Sequence, residues 1–261
     1  MNRLTKYLKT NPDWKLLIPF FTAGFPSLKL SLDLILTAID TGADFIEIGV
    51  PFSDPLADGP EIQYSSFVAL QNGINVNKIL SAVGAIRKKS NVPIILMGYY
   101  NPILTYGEQK FLADANKAGV DGLIVPDLSI DEAAEYKKNA DKFGLSTIFL
   151  VSPTSSPERI SRIEKYCSDF VYAVTVTGVT GAGKVFDKGT DNYLKSLRKT
   201  LKKRFVAGFG VSSAETAKRL VRHSDGIVIG SKLVSLIRGS KNNKAALKAV
   251  EKLLTQIRRA I

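Results

Sequence analysis

TGADFIEIG, residues 41–49, carries two patterns in nine residues, and the fold is read from their junction. A helical spacing of apolar residues ends, and a short continuous apolar run begins at Phe45. The same junction returns as AGVDGLIVP (118–126) and HSDGIVIG (223–230), each closing a helix and opening a strand with Asp or Gly-Asp. Working outward, strand-like runs are predicted at 15–21, 44–50, 93–99, 121–126, 146–152, 169–176, 204–210 and 225–230. Helical periodicity lies near 28–41, 75–89, 108–118, 131–142, 157–167, 191–202, 213–222 and 243–260. Ser27, Ser213 and Ser156 followed by Pro157 supply N-cap chemistry.

Eight strands alternating with eight helices in 261 residues predict an α/β chain folded as a single (β/α)8 TIM barrel. A doubly wound sheet is the competing architecture, but it usually has fewer units, and no turn here reads G-x-G-x-x-G. No linker, low-complexity block or second composition regime interrupts residues 1–261, so one barrel domain is expected over the whole chain. Extra short helices are expected at the N-terminus, after strand 2 (EIQYSSFVALQNG, 61–73) and after strand 8 (SKLVSLIRG, 231–239). A helix in the last position, its N-terminus at the barrel mouth, is the usual phosphate site of such barrels.

Composition narrows the chemistry. The hydrophobic fraction of 45% fits an ordinary globular chain, and no apolar run is long enough to cross a membrane. MNRLTKYLKTNPDWK has no apolar segment after its charges, which argues against a secretory signal. A single cysteine, Cys167, excludes an internal disulfide and a cysteine-based metal cluster; a reducing cytoplasm is the expected location. One histidine, His223, argues against zinc catalysis and a Ser-His-Asp triad, and no metal site is expected. The net charge of +12 is concentrated in residues 184–261, with 19 Lys/Arg against 5 Asp/Glu. Those cations are spread through amphipathic helices such as NKAALKAVEKLLTQIRRAI (243–261) without interleaved aromatics. A solvated helix face is the better reading, and no nucleic acid is expected.

The candidate chemistry gathers on the barrel's upper rim. Alternation along strand 2 puts Phe45, Glu47 and Gly49 on one side and Ile46, Ile48 and Val50 on the other. The second set is uniformly aliphatic, as the layer against helices demands, so Glu47 points into the barrel. Burial raises a carboxyl's pKa toward neutral, which suits proton transfer. The plainer alternative is a Glu paired with a barrel Lys or Arg, but no basic residue sits centrally in another predicted strand. Asp54 and Asp58 lie in SDP and ADG, ordinary turn formers, one loop beyond Glu47. A carboxylate reaching over the mouth from there would complete an acid/base pair. Three glycine turns follow late strands: GVTGAG (178–183), GFGVS (208–212) and Gly230-Ser231. Glycine lets backbone N–H groups approach an anion closely.

FIEIGVPFSDPLADGPEIQ (45–63) resembles the signature of the tryptophan synthase alpha subunit family. The resemblance continues in order through PFFTAGFP (19–26), YYNPI (99–103), DGLIVPDL (121–128), TGVTGAG (177–183), GFGVS (208–212) and IGS (229–231). It implies a barrel that cleaves indole-3-glycerol phosphate into indole and glyceraldehyde 3-phosphate. By the same resemblance Glu47 is the general acid/base that protonates the indole ring at C3 and takes the side-chain hydroxyl proton. Asp58 matches the carboxylate that stabilises the indole N–H. Phe20, Met97 and Tyr172 fall where the family lines the indole pocket, although simple barrel packing explains them equally well. Thr180 falls where the family's closing loop shields the site. Gly181, Gly210, Gly230 and Ser231 carry over as phosphate ligands.

The resemblance further implies a partner, the beta subunit, which holds pyridoxal phosphate, in an alpha-beta-beta-alpha heterotetramer; no cofactor is expected in this chain. Asp54 and Asp127 match positions of loop and partner communication. The docking face would include the 51–59 loop, YYNPILTYG (99–107) and the stretch after Asp127. Departures from the family pattern are Phe25 in TAGFP and Gly183-Lys184 after GVTGA. A catalytically weak alpha-type subunit that mainly activates beta is the alternative, and intact Glu47 and Asp58 argue against it. Another phosphate-binding barrel enzyme would explain the glycine turns but not SDPLADG.

Overall fold

The apolar runs become parallel strands buried along most of their length, because helices cover one face and the barrel interior the other. The computed structural model describes residues 1–175, 188–208 and 210–261. Among these, the first half of the chain runs α1 (Arg3–Thr10), β1 (Leu16–Thr22), α2 (Leu28–Asp40), β2 (Ile46–Gly49), α3 (Pro60–Gln71), α4 (Val76–Arg87), β3 (Ile94–Met97), α5 (Tyr100–Tyr106), α6 (Glu108–Ala118), β4 (Gly122–Ile124) and α7 (Ala133–Lys142). The second half runs β5 (Ser146–Ile148), β6 (Leu150–Val151), α8 (Pro157–Tyr166), β7 (Phe170–Val174), α9 (Lys188–Thr200), β8 (Arg204–Gly208), α10 (Ala214–Leu220), β9 (Gly226–Ile229), α11 (Ser231–Arg238) and α12 (Asn243–Ala260).

The strands pair in the order β5-β4-β3-β2-β1-β9-β8-β7-β6, all parallel. The two ends of that order are halves of one run, broken only at Phe149. The Tyr172 N–H donates to the Phe149 carbonyl at 3.1 Å, so β5 and β6 form one stave and eight staves close the circle. The TIM barrel expected from the alternation is therefore the fold. The extra helices expected at the N-terminus, after strand 2 and after strand 8 are α1, α3 and α11.

The repeated junction has a physical cause. Asp44 accepts the Leu17 N–H at 2.6 Å, Asp121 the Ile94 N–H at 2.9 Å, and Asp225 the Phe205 N–H at 2.9 Å. Each Asp opens one strand and ties down the start of its neighbour, satisfying a buried donor. Arginines neutralise these carboxylates: Arg258 on Asp44 at 2.8 Å, Arg87 on Asp121 at 2.6 Å, Arg198 on Asp225 at 2.9 Å. Part of the basic C-terminal third is thus internal balance. Asn2 joins α1 to this base by donating to the Asp121 carbonyl at 2.8 Å.

The expected caps form: Ser27 accepts from Leu30 N, Ser156 from Arg159 N and Ser213 from Thr216 N. One helix was not expected. α5 begins directly after strand β3 with no side-chain cap of its own, and the Asp127 carboxylate accepts its first N–H, from Tyr100, at 2.9 Å. Among the described residues, no helix is long and apolar enough to cross a membrane.

Candidate active site

Strand β2 pairs in register so that Glu47 lies between Phe20 of β1 and Ile95 of β3. All three belong to the set of side chains facing the barrel interior, while Ile46 and Ile48 are buried against the helices. Glu47 is 1% exposed. Burial is the main reason its carboxyl is pushed up to about 8, and the nearby Asp58 charge pushes the same way. A carboxylic acid at this height therefore stays protonated through neutral pH and can give its proton to a substrate in the barrel.

Asp58 sits half-buried just before Gly59, the N-cap of α3, on the loop that leaves β2. Its backbone N–H donates to the Pro55 carbonyl at 3.0 Å, and Gln63 Nε2 donates to the Asp58 carbonyl at 2.9 Å. Burial raises its carboxyl to about 6, opposed by a hydrogen bond from the Tyr99 hydroxyl. The two carboxyls thus titrate on either side of neutrality, one a proton donor and the other an anion.

The lining is aromatic. A Cβ built at Gly49 would lie 2.4 Å from the Phe20 ring, and one built at Gly208 would lie 2.2 Å from the Tyr172 hydroxyl oxygen. Both rings therefore lie over glycines on the neighbouring stave, Phe20 of β1 over Gly49 of β2 and Tyr172 of β7 over Gly208 of β8. Tyr172 is raised well above its ordinary value by burial first, then by the charges of Glu47 and Asp58, so it stays a neutral phenol beside them. Met97, buried at the end of β3, pairs with Gly49 and Ile124. Phe20, Met97, Tyr172, Glu47 and Asp58 thus gather at one end of the barrel.

At the late strands, two helix starts differ. α10 is already capped by Ser213. α11 follows Gly230 with no side-chain cap, leaving its first N–H groups without intrahelical partners beside Phe20. Ser231 is the first residue of that helix, and Gly210 holds a positive φ of 80°. The expectations for Thr180 and Gly181, and for the 178–190 loop as far as residue 187, lie outside the described residues. Asp54 is exposed and accepts from Ser53, away from the interior.

Sequence reasoning missed Tyr99 as a site residue. Its hydroxyl donates to Asp58 Oδ2 at 3.2 Å and accepts the Ala57 N–H at 2.9 Å. The available signal was an amphipathic aromatic placed directly at the upper end of a barrel strand.

A family model described as tryptophan synthase alpha chain matches residues 8–261. The tryptophan synthase alpha chain of Thermoanaerobacter sp. (strain X514) is 41% identical over 263 residues, covering 100% of both chains. That of Geobacter sulfurreducens is 46% identical over 222 residues, 85% of this chain and 84% of the relative. Among solved structures, tryptophan synthase subunit alpha from Legionella pneumophila str. Paris aligns with a TM-score of 0.91 at 36% identity, covering 100% and 98% of the two chains. A structure of the tryptophan synthase a2b2 complex from Pyrococcus furiosus aligns with a TM-score of 0.86 at 37% identity, covering 94% and 98%.

Proposed function

The chain belongs to the tryptophan synthase alpha chain family, and from that premise we propose that Glu47 and Asp58 carry its reaction. The activity is the cleavage of indole-3-glycerol phosphate to indole and glyceraldehyde 3-phosphate, a carbon–carbon lyase step in tryptophan biosynthesis. The observation that carries the residue assignment is a buried, protonated Glu47 facing the barrel interior with the Asp58 charge close to it.

Glu47 gives its proton to C3 of the indole ring, leaving a C2=N iminium whose N–H is held by the Asp58 carboxylate. The Glu47 carboxylate then takes the proton of the hydroxyl on the adjacent side-chain carbon. As that carbon becomes the aldehyde, the C3–C bond breaks and its electrons return to the ring. Indole leaves, and Glu47 is again a carboxylic acid. Low dielectric around Glu47 strengthens each of these interactions.

The aromatic floor supports a planar bicyclic substrate between Phe20, Met97 and Tyr172. The open N-terminus of α11 supports phosphate binding by the Gly230-Ser231 turn, with Gly210 from the neighbouring turn; from the family pattern Gly181 completes the phosphate ligands, and Thr180 belongs to the closing loop that shields the substrate. The partner we propose is a tryptophan synthase beta subunit that holds pyridoxal phosphate, in an alpha-beta-beta-alpha assembly, with none of that cofactor in this chain. An exposed Leu56 on the β2 loop and Leu104 on α5 support docking there, and Asp54 and Asp127 flank that face. We further propose one domain over residues 1–261, a cytoplasmic location, and no nucleic-acid or membrane partner. The reading as a weak, mainly activating subunit is not favoured, since both carboxyls stand in working environments.

The test is indole release from indole-3-glycerol phosphate, with and without a beta subunit, by the wild-type chain, Glu47→Gln and Asp58→Asn. Each substitution should lower turnover by about 10²–10⁴-fold while phosphate-ligand binding survives. Wild-type turnover in either variant would remove that residue from the mechanism.

A further inference from the structure

We propose that Tyr99 is the positioning residue of Asp58: its one hydroxyl clamps both the side chain of Asp58 and the backbone of the loop that carries it. The proposal rests on the reading of Asp58 as catalytic.

Apart from Gln63 Nε2 of α3, which donates to the Asp58 carbonyl at 2.9 Å, the loop has little else to hold it. Leu56 is 86% exposed, and Ser53, Asp54 and Ala57 are exposed as well. Its internal hydrogen bonds are local turns, Leu56 N–H to Asp54 carbonyl at 2.9 Å and Asp58 N–H to Pro55 carbonyl at 3.0 Å. Such turns fix a shape without fixing a place over the barrel. Tyr99 supplies the place. Its hydroxyl accepts from Ala57 N–H at 2.9 Å and donates to Asp58 Oδ2 at 3.2 Å, using both of its capacities on consecutive residues.

Tyr99 is itself held. It is 7% exposed, and its ring packs on Phe52 with centroids 5.1 Å apart, at the start of the same loop. The preceding Gly98 lies so close to Val50 that a Cβ there would meet Val50 Cβ at 2.7 Å. The following residue, Tyr100, gives its N–H to Asp127 and its hydroxyl to Glu108. A fixed strand end thus holds an exposed loop, which is how a reacting group is kept within the narrow tolerance that catalysis needs.

The clamp also selects a charge state. Among the described residues, the Asp58 charge bears on Glu47, Tyr172 and Tyr99, and the Asp127 charge bears on Tyr99 as well. Glu47 and Tyr172 are neutral near pH 7, and the hydrogen bond from the Tyr99 hydroxyl favours Asp58 as the anion.

Tyr99→Phe keeps the ring and removes both hydrogen bonds. Steady-state indole release should show kcat down about tenfold, with KM for indole-3-glycerol phosphate changed less. The acid limb of the kcat/KM profile should move to higher pH, because Asp58 loses a donor to its charged form. Asp58→Asn and the double variant are measured beside it, and Tyr99→Phe in the Asp58→Asn background should add no further loss. Unchanged kcat and acid limb in Tyr99→Phe, with Asp58→Asn inactive, would overturn the clamp and leave the Asp58 reading intact. A loss that persists in the double variant, or a lower kcat with an unmoved acid limb, would make Tyr99 merely structural. Wild-type turnover in Asp58→Asn would remove the catalytic reading and the clamp with it.

Discussion

The ring of Phe20 occupies the space that a side chain at Gly49 would need: a Cβ there stands 2.4 Å from Cζ and 2.8 Å from Cε2. Gly49 is two residues beyond Glu47 on the same inward-facing side of β2, so the glycine makes the floor on which the proposed proton donor works. Tyr172 over Gly208 repeats the arrangement across the barrel. At these two places a large aromatic side chain fills the space that a glycine leaves, which packs the interior of a small barrel.

Gly49→Ala should therefore act on both stability and substrate binding. Phe20 must leave its rotamer or β1 must shift, at about 1–3 kcal/mol. Urea unfolding should show that loss, and KM for indole-3-glycerol phosphate should rise more than kcat falls. An unchanged KM would mean that Phe20 does not line the substrate pocket.

The carboxyls predict the pH profile. Asp58, raised to about 6, must be ionised, so activity falls as pH drops through that value. Glu47, raised to about 8, must be protonated, so activity falls as pH rises through it. The kcat/KM of the chain should form a bell between those limbs. Glu47→Gln should keep only the residual turnover and show no alkaline limb in it, whereas an alkaline limb that survives in that variant would belong to another group.

Glu47 also sets a stability cost. A Glu held at about 8 in the fold but at its ordinary 4.5 when unfolded binds more protons folded than unfolded between those values. Stability then falls as pH rises from about 4.5 through about 8. Glu47→Gln should flatten this slope and stabilise the chain above pH 8, on the order of 3 kcal/mol, while destroying activity. Denaturant midpoints measured across pH, with no difference in slope between wild type and variant, would place Glu47 in a less costly environment.

The other end of the barrel should behave in the opposite way. Asp121 is fully buried, pairs with Arg87 at 2.6 Å and accepts the Ile94 N–H. Asp121→Ala leaves Arg87 and a strand N–H without that partner, at about 3–5 kcal/mol. Thermal melting should drop sharply, while kcat of the remaining folded protein should hold. A lowered kcat at temperatures well below the melt would tie the base of the barrel to the chemistry.

Local pattern made much of this readable in the chain. The Asp-led junctions marked strand starts because each Asp there does the same job for a neighbouring strand. Glu47 was legible because alternation on β2 leaves only one inward polar residue among aliphatic neighbours. What was not legible depended on distant partners. α5 carries Pro102 in its first turn and no cap of its own, and its first N–H is met by Asp127, 27 residues away. Tyr99 lies 41 residues from Asp58, so nothing in its local sequence announces the bond. The break at Phe149 within one stave has no signal in STIFLVS, a continuous apolar run.

The phosphate site offers a prediction in which two effects carry opposite signs. α11 begins at Ser231 without a side-chain cap, so its N-terminal N–H groups and partial positive charge are available to an anion. Ser231→Asp places a carboxylate on that first turn. As a helix-terminal charge it should raise the stability of the free protein by about 0.3–1 kcal/mol. As an anion in the place of the substrate's phosphate it should raise KM for indole-3-glycerol phosphate by at least about tenfold, with a smaller effect on kcat, since the carboxyls at Glu47 and Asp58 are untouched. The two signs separate the explanations. A destabilised variant with a high KM would report only a damaged helix. A stabilised variant with an unchanged KM would move the phosphate away from α11. Only a melting temperature at or above wild type together with a raised KM is what an anion site at Gly230-Ser231 requires.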